Sequence, residues 1–244
     1  MTLILNFGWP QAVLLIWLAS GLVLHAAKHG KPLDVPTFHV GWALYRISFV
    51  ILFLVLGGFF KPACAQSVPA SAHKYRAELT RAAHTQWGLD APIAALAGQV
   101  HQESAWQPNA VSRVGAAGLA QFMPGTATWW CQINKLTPEQ CQPHNPTWAL
   151  RALVGYDKYL FDRSPSRYTE RDRMHVALRA YNGGLGHWQA EARASGLPQP
   201  TVDQVAAACG KARRHVSHCP ENLNYPARIL GMLQQRYATW GRVL

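Results

Sequence analysis

Charge is scarce in this sequence. Only 14% of its 244 residues are Asp, Glu, Lys or Arg, against 49% that are hydrophobic. A disordered chain needs the opposite balance, so disorder is excluded for the bulk of it. Acidic residues are rarer than basic ones, 12 against 23, and the formal net charge of +11 calls for an anionic partner or surface. Nucleic acid, phospholipid and a cell-wall polymer all satisfy that charge. Alternating Val/Ile/Thr-rich runs of strand type are almost absent, which points away from a β-fold. Ala, Leu, Gln and Arg instead recur at helical spacing. No segment repeats, so a solenoid is excluded as well.

The shortage of charge is partly local. No charged residue precedes Lys28, and the apolar segment at about 10–27 is long enough to span a bilayer as a helix. A second apolar run, 47–60, lies between Arg46 and Lys61. It is short for a spanning helix and suits the core of a secretory signal. Ala63-Cys64-Ala65 follows it, a small-residue pattern that a signal peptidase reads, with cleavage expected after Ala65. The loop between the runs carries Lys28, Lys31 and Arg46 against Asp34, which places it in the cytoplasm and everything after Lys61 outside. No Met lies between Met1 and Met123, so no internal start trims the first segment. Residues 1–65 therefore read as a membrane-targeting region. The remainder is either held at the inner membrane, facing the periplasm, or released there.

Residues 1–65 hold four of the 23 basic and one of the 12 acidic residues, which leaves 19 against 11, a net +8, for residues 66–244. Four of the five cysteines remain there: Cys131, Cys141, Cys209 and Cys219. An even number in an exported domain reads as two disulfides. The equal spacing of 131/141 and 209/219 favours those pairs over the other two connectivities. A zinc site at Cys209, His215, His218 and Cys219 fits no strong ligand pattern, and neither a metal nor a cofactor is expected.

The exported part reads as all-helical. Helices are expected over 71–86; after Asp90, as N-cap, to about 103; from Asn145-Pro146 to about 162; over 169–181 with Asn182-Gly183-Gly184 as the stop; over 185–194 and 201–209; and from about 224 to the end. In the second of these, Ile93, Leu96, Ala97 and Val100 mark the buried face, and the same spacing puts Glu103 on it. A carboxyl on an apolar stripe is costly when ionised. Desolvation raises its pKa, as a general acid working near neutral pH requires. Segment 118–124, Gly-Leu-Ala-Gln-Phe-Met-Pro, then sets an uncharged amide among apolar residues. Residues 180–184, Ala-Tyr-Asn-Gly-Gly, set an aromatic hydroxyl and an amide at a helix end. One acid among neutral hydrogen-bonding groups and aromatics suits a polysaccharide better than a phosphate. Trp106, Trp129, Trp130, Trp148 and Trp188 are candidates to stack on sugar faces, although core packing is the commoner use of Trp.

Glu103-Ser104, segment 118–124 and segment 180–184 resemble the three signature motifs of the soluble lytic transglycosylase family. The segment Glu221-Asn-Leu-Asn-Tyr225 resembles a fourth, weaker one. The resemblance covers about residues 91–236 and implies a goose-type lysozyme-like helical domain. It implies that Glu103 is the catalytic acid and then base, cleaving between N-acetylmuramic acid and N-acetylglucosamine to leave a 1,6-anhydro end. It also implies that Ser112 and Gln121 orient the substrate's N-acetyl group and that Tyr181 and Tyr225 line the catalytic subsite. Asn182 and Glu221 would support them, and Ser104 would steady the helix end by a local hydrogen bond. Ala120 and Pro226 depart from the family's usual Met and β-branched residue, and neither is a group the mechanism needs. Peptidoglycan is then the anionic partner, and nucleic acid is not expected, because the clusters Arg171/Arg173 and Lys211/Arg213/Arg214 are short. Such domains serve wall remodelling, secretion or conjugation machinery, and phage lysis or entry. A hydrolytic lysozyme, which needs a second carboxylate, and a non-catalytic glycan binder remain the alternatives.

Overall fold

The computed structural model describes residues 67–244. Both apolar segments, their connecting loop and the cleavage motif lie outside the described residues. No helix among the described residues is long and apolar enough to cross a membrane.

Helix α1 (Ala70–His73) and helix α2 (Arg76–Trp87) stand where one helix was expected. The break between them lets Tyr75 turn its ring inward, stacked at 6.2 Å on Trp106. Helix α3 (Ile93–Ser104) starts at Pro92 and not at an Asp90 cap. The Asp90 carbonyl instead accepts from Arg242 Nε at 2.8 Å. Every residue from Ile93 to Val100 is buried, so α3 is enclosed on all sides and not only along one stripe. Its small residues make this possible. At Gly98 the chain packs so closely on the C-terminal segment that an added Cβ would stand 3.0 Å from the Gln234 nitrogen.

Helix α4 (Pro124–Ile133) was not anticipated, because Gly125, Thr126 and Thr128 are weak helix formers. It has Pro in its first turn, where the missing N–H is not needed. After a 3₁₀ turn at Pro138–Gln140, α5 (Pro146–Asp162) begins as expected at Asn145, whose side chain accepts from the Thr147 and Trp148 amides. Helix α6 (Glu170–Gly183) is capped by Thr169 and runs two residues past the expected end, so Asn182 and Gly183 are helical and Gly184 makes the turn. Helices α7 (Leu185–Ala194) and α8 (Val202–Ala206) follow, with a 3₁₀ turn at Val216–His218. Helix α9 (Cys219–Arg228) begins earlier than expected and carries Pro226 internally. It continues through a π-helical turn, Ile229–Leu233, into α10 (Gln234–Arg236).

Around α3 pack α2, the π-helical turn and α10, while α5, α6 and α9 stack side by side and α7 covers α6. The described residues contain no β-strand, only isolated bridges pairing Val111 with Ala117 and Ala117 with Phe122. Disulfides join Cys131 to Cys141 and Cys209 to Cys219. Trp106, Trp130 and Trp188 are buried core residues, whereas Trp129 and Trp148 are only partly buried.

Candidate active site

The last turn of α3 delivers Glu103 to the edge of the core. Two successive left-handed residues, Ala105 (φ 49°) and Trp106 (φ 66°), then turn the chain sharply away. Trp106 anchors the turn by donating from Nε1 to the Tyr237 hydroxyl at 2.6 Å. Ser104 donates to the Leu119 carbonyl at 2.9 Å, so it fastens the helix end to the 118–122 loop and acts beyond its own turn.

Glu103 opens into a cavity of about 380 Å³, whose walls include Gln102, Asn182, Glu221, Asn224, Tyr225 and Arg228. The Tyr225 hydroxyl donates a short hydrogen bond to Glu103 Oε1. Burial pushes the Glu103 carboxyl up from the ordinary 4.5 to about 7. The Tyr225 bond pulls the other way, and the nearby Glu221 charge adds to the rise. Such a group exchanges its proton near neutrality. Burial, followed by the Glu103 charge, drives the Tyr225 and Tyr181 phenols well above their usual range, so both remain donors.

Beneath Glu103, one turn back along α3, Gln99 Nε2 donates to Asp157 Oδ1 at 3.2 Å. Asp157 is fully buried, and burial, with a smaller push from Glu103, raises its carboxyl well above the carboxylate range. Gln99 Oε1 and Asp157 Oδ2 have no partner among the described residues. A proton on Asp157 supplies the donor that this pair lacks. The burial and the unpaired oxygens both favour the protonated form of Asp157.

The other expected residues divide between the cavity and its supports. Asn182 Nδ2 donates to Glu221 Oε1 at 3.3 Å, so both stand on the wall opposite α3. Tyr181 lies below and donates to the Ala120 carbonyl at 2.6 Å. Ser112 and Gln121 belong to the adjoining loop and are not among the cavity's lining side chains. Gln121 Nε2 donates to the Ala110 and Gly118 carbonyls at 3.1 and 3.0 Å, so the amide nitrogen ties the turn together. Ser112 Oγ accepts from the Ala116 amide at 3.0 Å and keeps its own proton to donate. Gly118 (φ 74°) passes so near the next segment that a Cβ would meet the Pro143 carbonyl at 2.0 Å. The loop's shape therefore depends on a glycine there.

A buried ion cluster, invisible to motif reading, holds the Asn182 wall. Glu191 is fully buried and accepts from Arg179 and from Arg214, each at 2.6 Å. Arg179 Nε also donates to Asn222 Oδ1 at 3.0 Å, and Asn222 Nδ2 donates to Asn182 Oδ1 at 2.9 Å. Gly183 leaves room for this: a Cβ there would fall 2.3 Å from an Arg214 nitrogen. An Arg in the apolar stretch Val176–Ala180 was the available signal. Arg214, expected as part of a surface basic cluster, is an interior residue. Arg171 and Arg173 are likewise engaged with the fold, Arg171 on the Leu230 and Leu244 carbonyls and Arg173 on Ser164 and Phe161.

A larger cavity, about 690 Å³, opens between α2, α4 and α5, where Trp130, Trp148 and Arg151 line it. No acid lines it, whereas Glu103 and Glu221 both line the smaller one. Among the described residues, no group of three or more His, Cys, Asp or Glu side chains is arranged to hold a metal ion.

The chain is 32% identical over 124 residues to the membrane-bound lytic murein transglycosylase F of Alteromonas mediterranea, a match covering 49% of this chain and 25% of that protein. It is 39% identical over 102 residues to the protein of the same name from Hahella chejuensis, covering 41% and 18%. The chain thus spans a quarter or less of the length of these curated relatives. Among solved structures, an inactive mutant of the lytic transglycosylase Slt from Pseudomonas aeruginosa shares the fold, with a TM-score of 0.53 at 20% identity over 81% of this chain and 30% of that one. The family model described as the transglycosylase SLT domain matches residues 78–204, or 127 of the 244. That span holds Glu103, Ser104, Ser112, Gln121, Tyr181 and Asn182 but not Glu221 or Tyr225, which line the cavity from α9. By a match over more than half its length, the chain belongs to the transglycosylase SLT domain family.

Proposed function

We propose that this protein is a peptidoglycan lytic transglycosylase in which Glu103 serves first as acid and then as base. The observation that carries the reading is the Glu103 carboxyl at the cavity edge, raised to about 7 and held by Tyr225. One group performs both proton transfers efficiently only when its pKa lies near the working pH. Protonated Glu103 gives its proton to the glycosidic oxygen between N-acetylmuramic acid and N-acetylglucosamine. The bond from that oxygen to the muramic C1 breaks while the substrate's N-acetyl oxygen closes on C1. The muramic C6 hydroxyl then displaces the N-acetyl oxygen, and its proton passes to ionised Glu103. The acid is restored, a 1,6-anhydro ring remains, and no water is consumed. The Tyr225 bond steadies the carboxylate between the two transfers, and Ser112 offers its free hydroxyl proton to the N-acetyl group from the adjoining loop.

The net +8 of residues 66–244 suits a wall polymer whose peptide stems carry carboxylates, and the N-terminal segments are read as delivering the domain to the periplasmic side. Hydrolysis is the second reading, and Glu221 is the observation that favours it. Glu221 lines the same cavity as Glu103 and supplies the second carboxylate that a water-activating enzyme needs. Glu103→Gln separates both from a passive glycan binder: lysis should vanish while binding persists, and lysis at the normal rate would move the chemistry elsewhere.

A further inference from the structure

The cavity beside Glu103 has a charge gradient that bond cleavage does not use. Glu221, Asn224, Tyr225 and Arg228 stand at i, i+3, i+4 and i+7 on α9, one face of the helix, and all four line the cavity. At about 1.5 Å per residue, Arg228 lies roughly 10 Å along the axis from Glu221. Tyr225, with Glu103 on its hydroxyl, falls between them. One end of this wall therefore carries a carboxylate held by Asn182. The other carries an exposed guanidinium that meets no acid or carbonyl among the described residues.

His101, on α3, is held by Arg236. Arg236 donates to His101 Nε2 at 2.9 Å, and His101 Nδ1 faces the Tyr237 hydroxyl at 2.6 Å. Burial, with the Arg236 and Arg228 charges, holds His101 below the usual imidazole range, so this ring stays neutral. A neutral sugar seated against Tyr225 and Glu103 has no use for a cation about one helical turn further on. A substituent leading away from that sugar does. The lactyl arm of muramic acid carries a peptide whose carboxylates are anions of the polymer, and the planar guanidinium fork matches a carboxylate. Gln102 and Asn224 stand alongside with amides suited to a peptide backbone.

We propose that Arg228 is a specificity-determining residue that binds a carboxylate of the peptide stem on muramic acid, so that peptide-bearing glycan is favoured over stripped glycan. This rests on the transglycosylase reading. The test uses three substrates: peptide-bearing glycan, glycan stripped of its stems by an amidase, and peptide-bearing glycan with its carboxylates amidated. The wild-type protein should cleave the first with a kcat/KM about fivefold above the other two, as expected for one partly exposed charge pair. The gap should lie in KM, because the contact is remote from the breaking bond. Arg228→Gln should treat all three alike within about twofold, and Arg228→Lys should keep part of the preference. Binding of each substrate is measured in parallel. Cleavage of none would refute the enzyme reading, and the affinity ratios would then decide the Arg228 claim. A wild-type protein indifferent to the stems, or an Arg228→Gln variant that keeps the preference, overturns the proposal. A preference lost on stripping but kept on amidation would make the contact one with peptide and not with carboxylate, and would overturn it too.

Discussion

Replacing Glu103 with Gln should stabilise the protein, by an amount that grows with pH. Folding raises this carboxyl from the ordinary 4.5 to about 7, so the folded state holds the proton more tightly than the unfolded one. Below 4.5 both states keep the proton and the residue carries no charge penalty. As pH rises from 4.5 to 7 the unfolded chain ionises first, and stability falls. Above 7 both states are ionised and the loss is constant. The gap of about 2.5 pH units (7 minus 4.5), at ~1.36 kcal/mol per unit, amounts to about 3 kcal/mol. Gln keeps the shape of the side chain and an oxygen to accept from Tyr225, but has no charge to bury. In a domain of this size about 3 kcal/mol corresponds to roughly 6–12 °C in Tm. Both proteins would be unfolded by heat or urea at about pH 4 and about pH 8.5, and the variant compared with wild type at each pH. That comparison cancels the shifted titration of His175, which both proteins share. An advantage for the variant no larger at the higher pH than at the lower would refute the placement of Glu103 as a desolvated acid.

Tyr225→Phe removes the one hydrogen bond that favours the carboxylate, so the alkaline limb of the kcat/KM–pH profile should move up by roughly one to two units; an unmoved limb would mean that the bond does not form in solution. Gly118→Ala should lower stability by roughly 1–3 kcal/mol or more through its left-handed φ and the clash with the Pro143 carbonyl, seen as a fall in Tm. Glu191→Gln leaves Arg179 and Arg214 buried without their counter-charge and should cost roughly 3–5 kcal/mol in denaturant unfolding, a result within about 0.5 kcal/mol of wild type being the contrary one.

Glu103 was legible because local periodicity and its chemistry coincide: three residues past Val100, a carboxyl continues an apolar stripe. The start of α5 was legible for a similar reason, since Asn145-Pro146 encodes both its cap and its first turn. What escaped notice depends on tertiary contact. Helix α4 has weak formers in its first turns and is held by packing of Trp130 and Ala127. The last helix was expected from about 224, yet α9 begins at Cys219 and passes through Pro226. The tie that the Gln121 amide nitrogen makes to the Ala110 and Gly118 carbonyls of its own loop is likewise a product of the folded turn. The Glu191–Arg179–Arg214 cluster joins α7, α6 and the segment before α9, and no spacing rule links residues so far apart. Asp157, one acid among several in sequence, is distinguished only by its burial beside Gln99.

The central claim is that one carboxyl, Glu103, cuts the glycan without water. Its most direct test is mass spectrometry of the sugar ends released from purified peptidoglycan by the wild-type protein and by Glu103→Gln. The expected result is 1,6-anhydromuramic ends from the wild type and no new ends from the variant. Reducing muramic ends would instead make the protein a hydrolase and turn attention to Glu221.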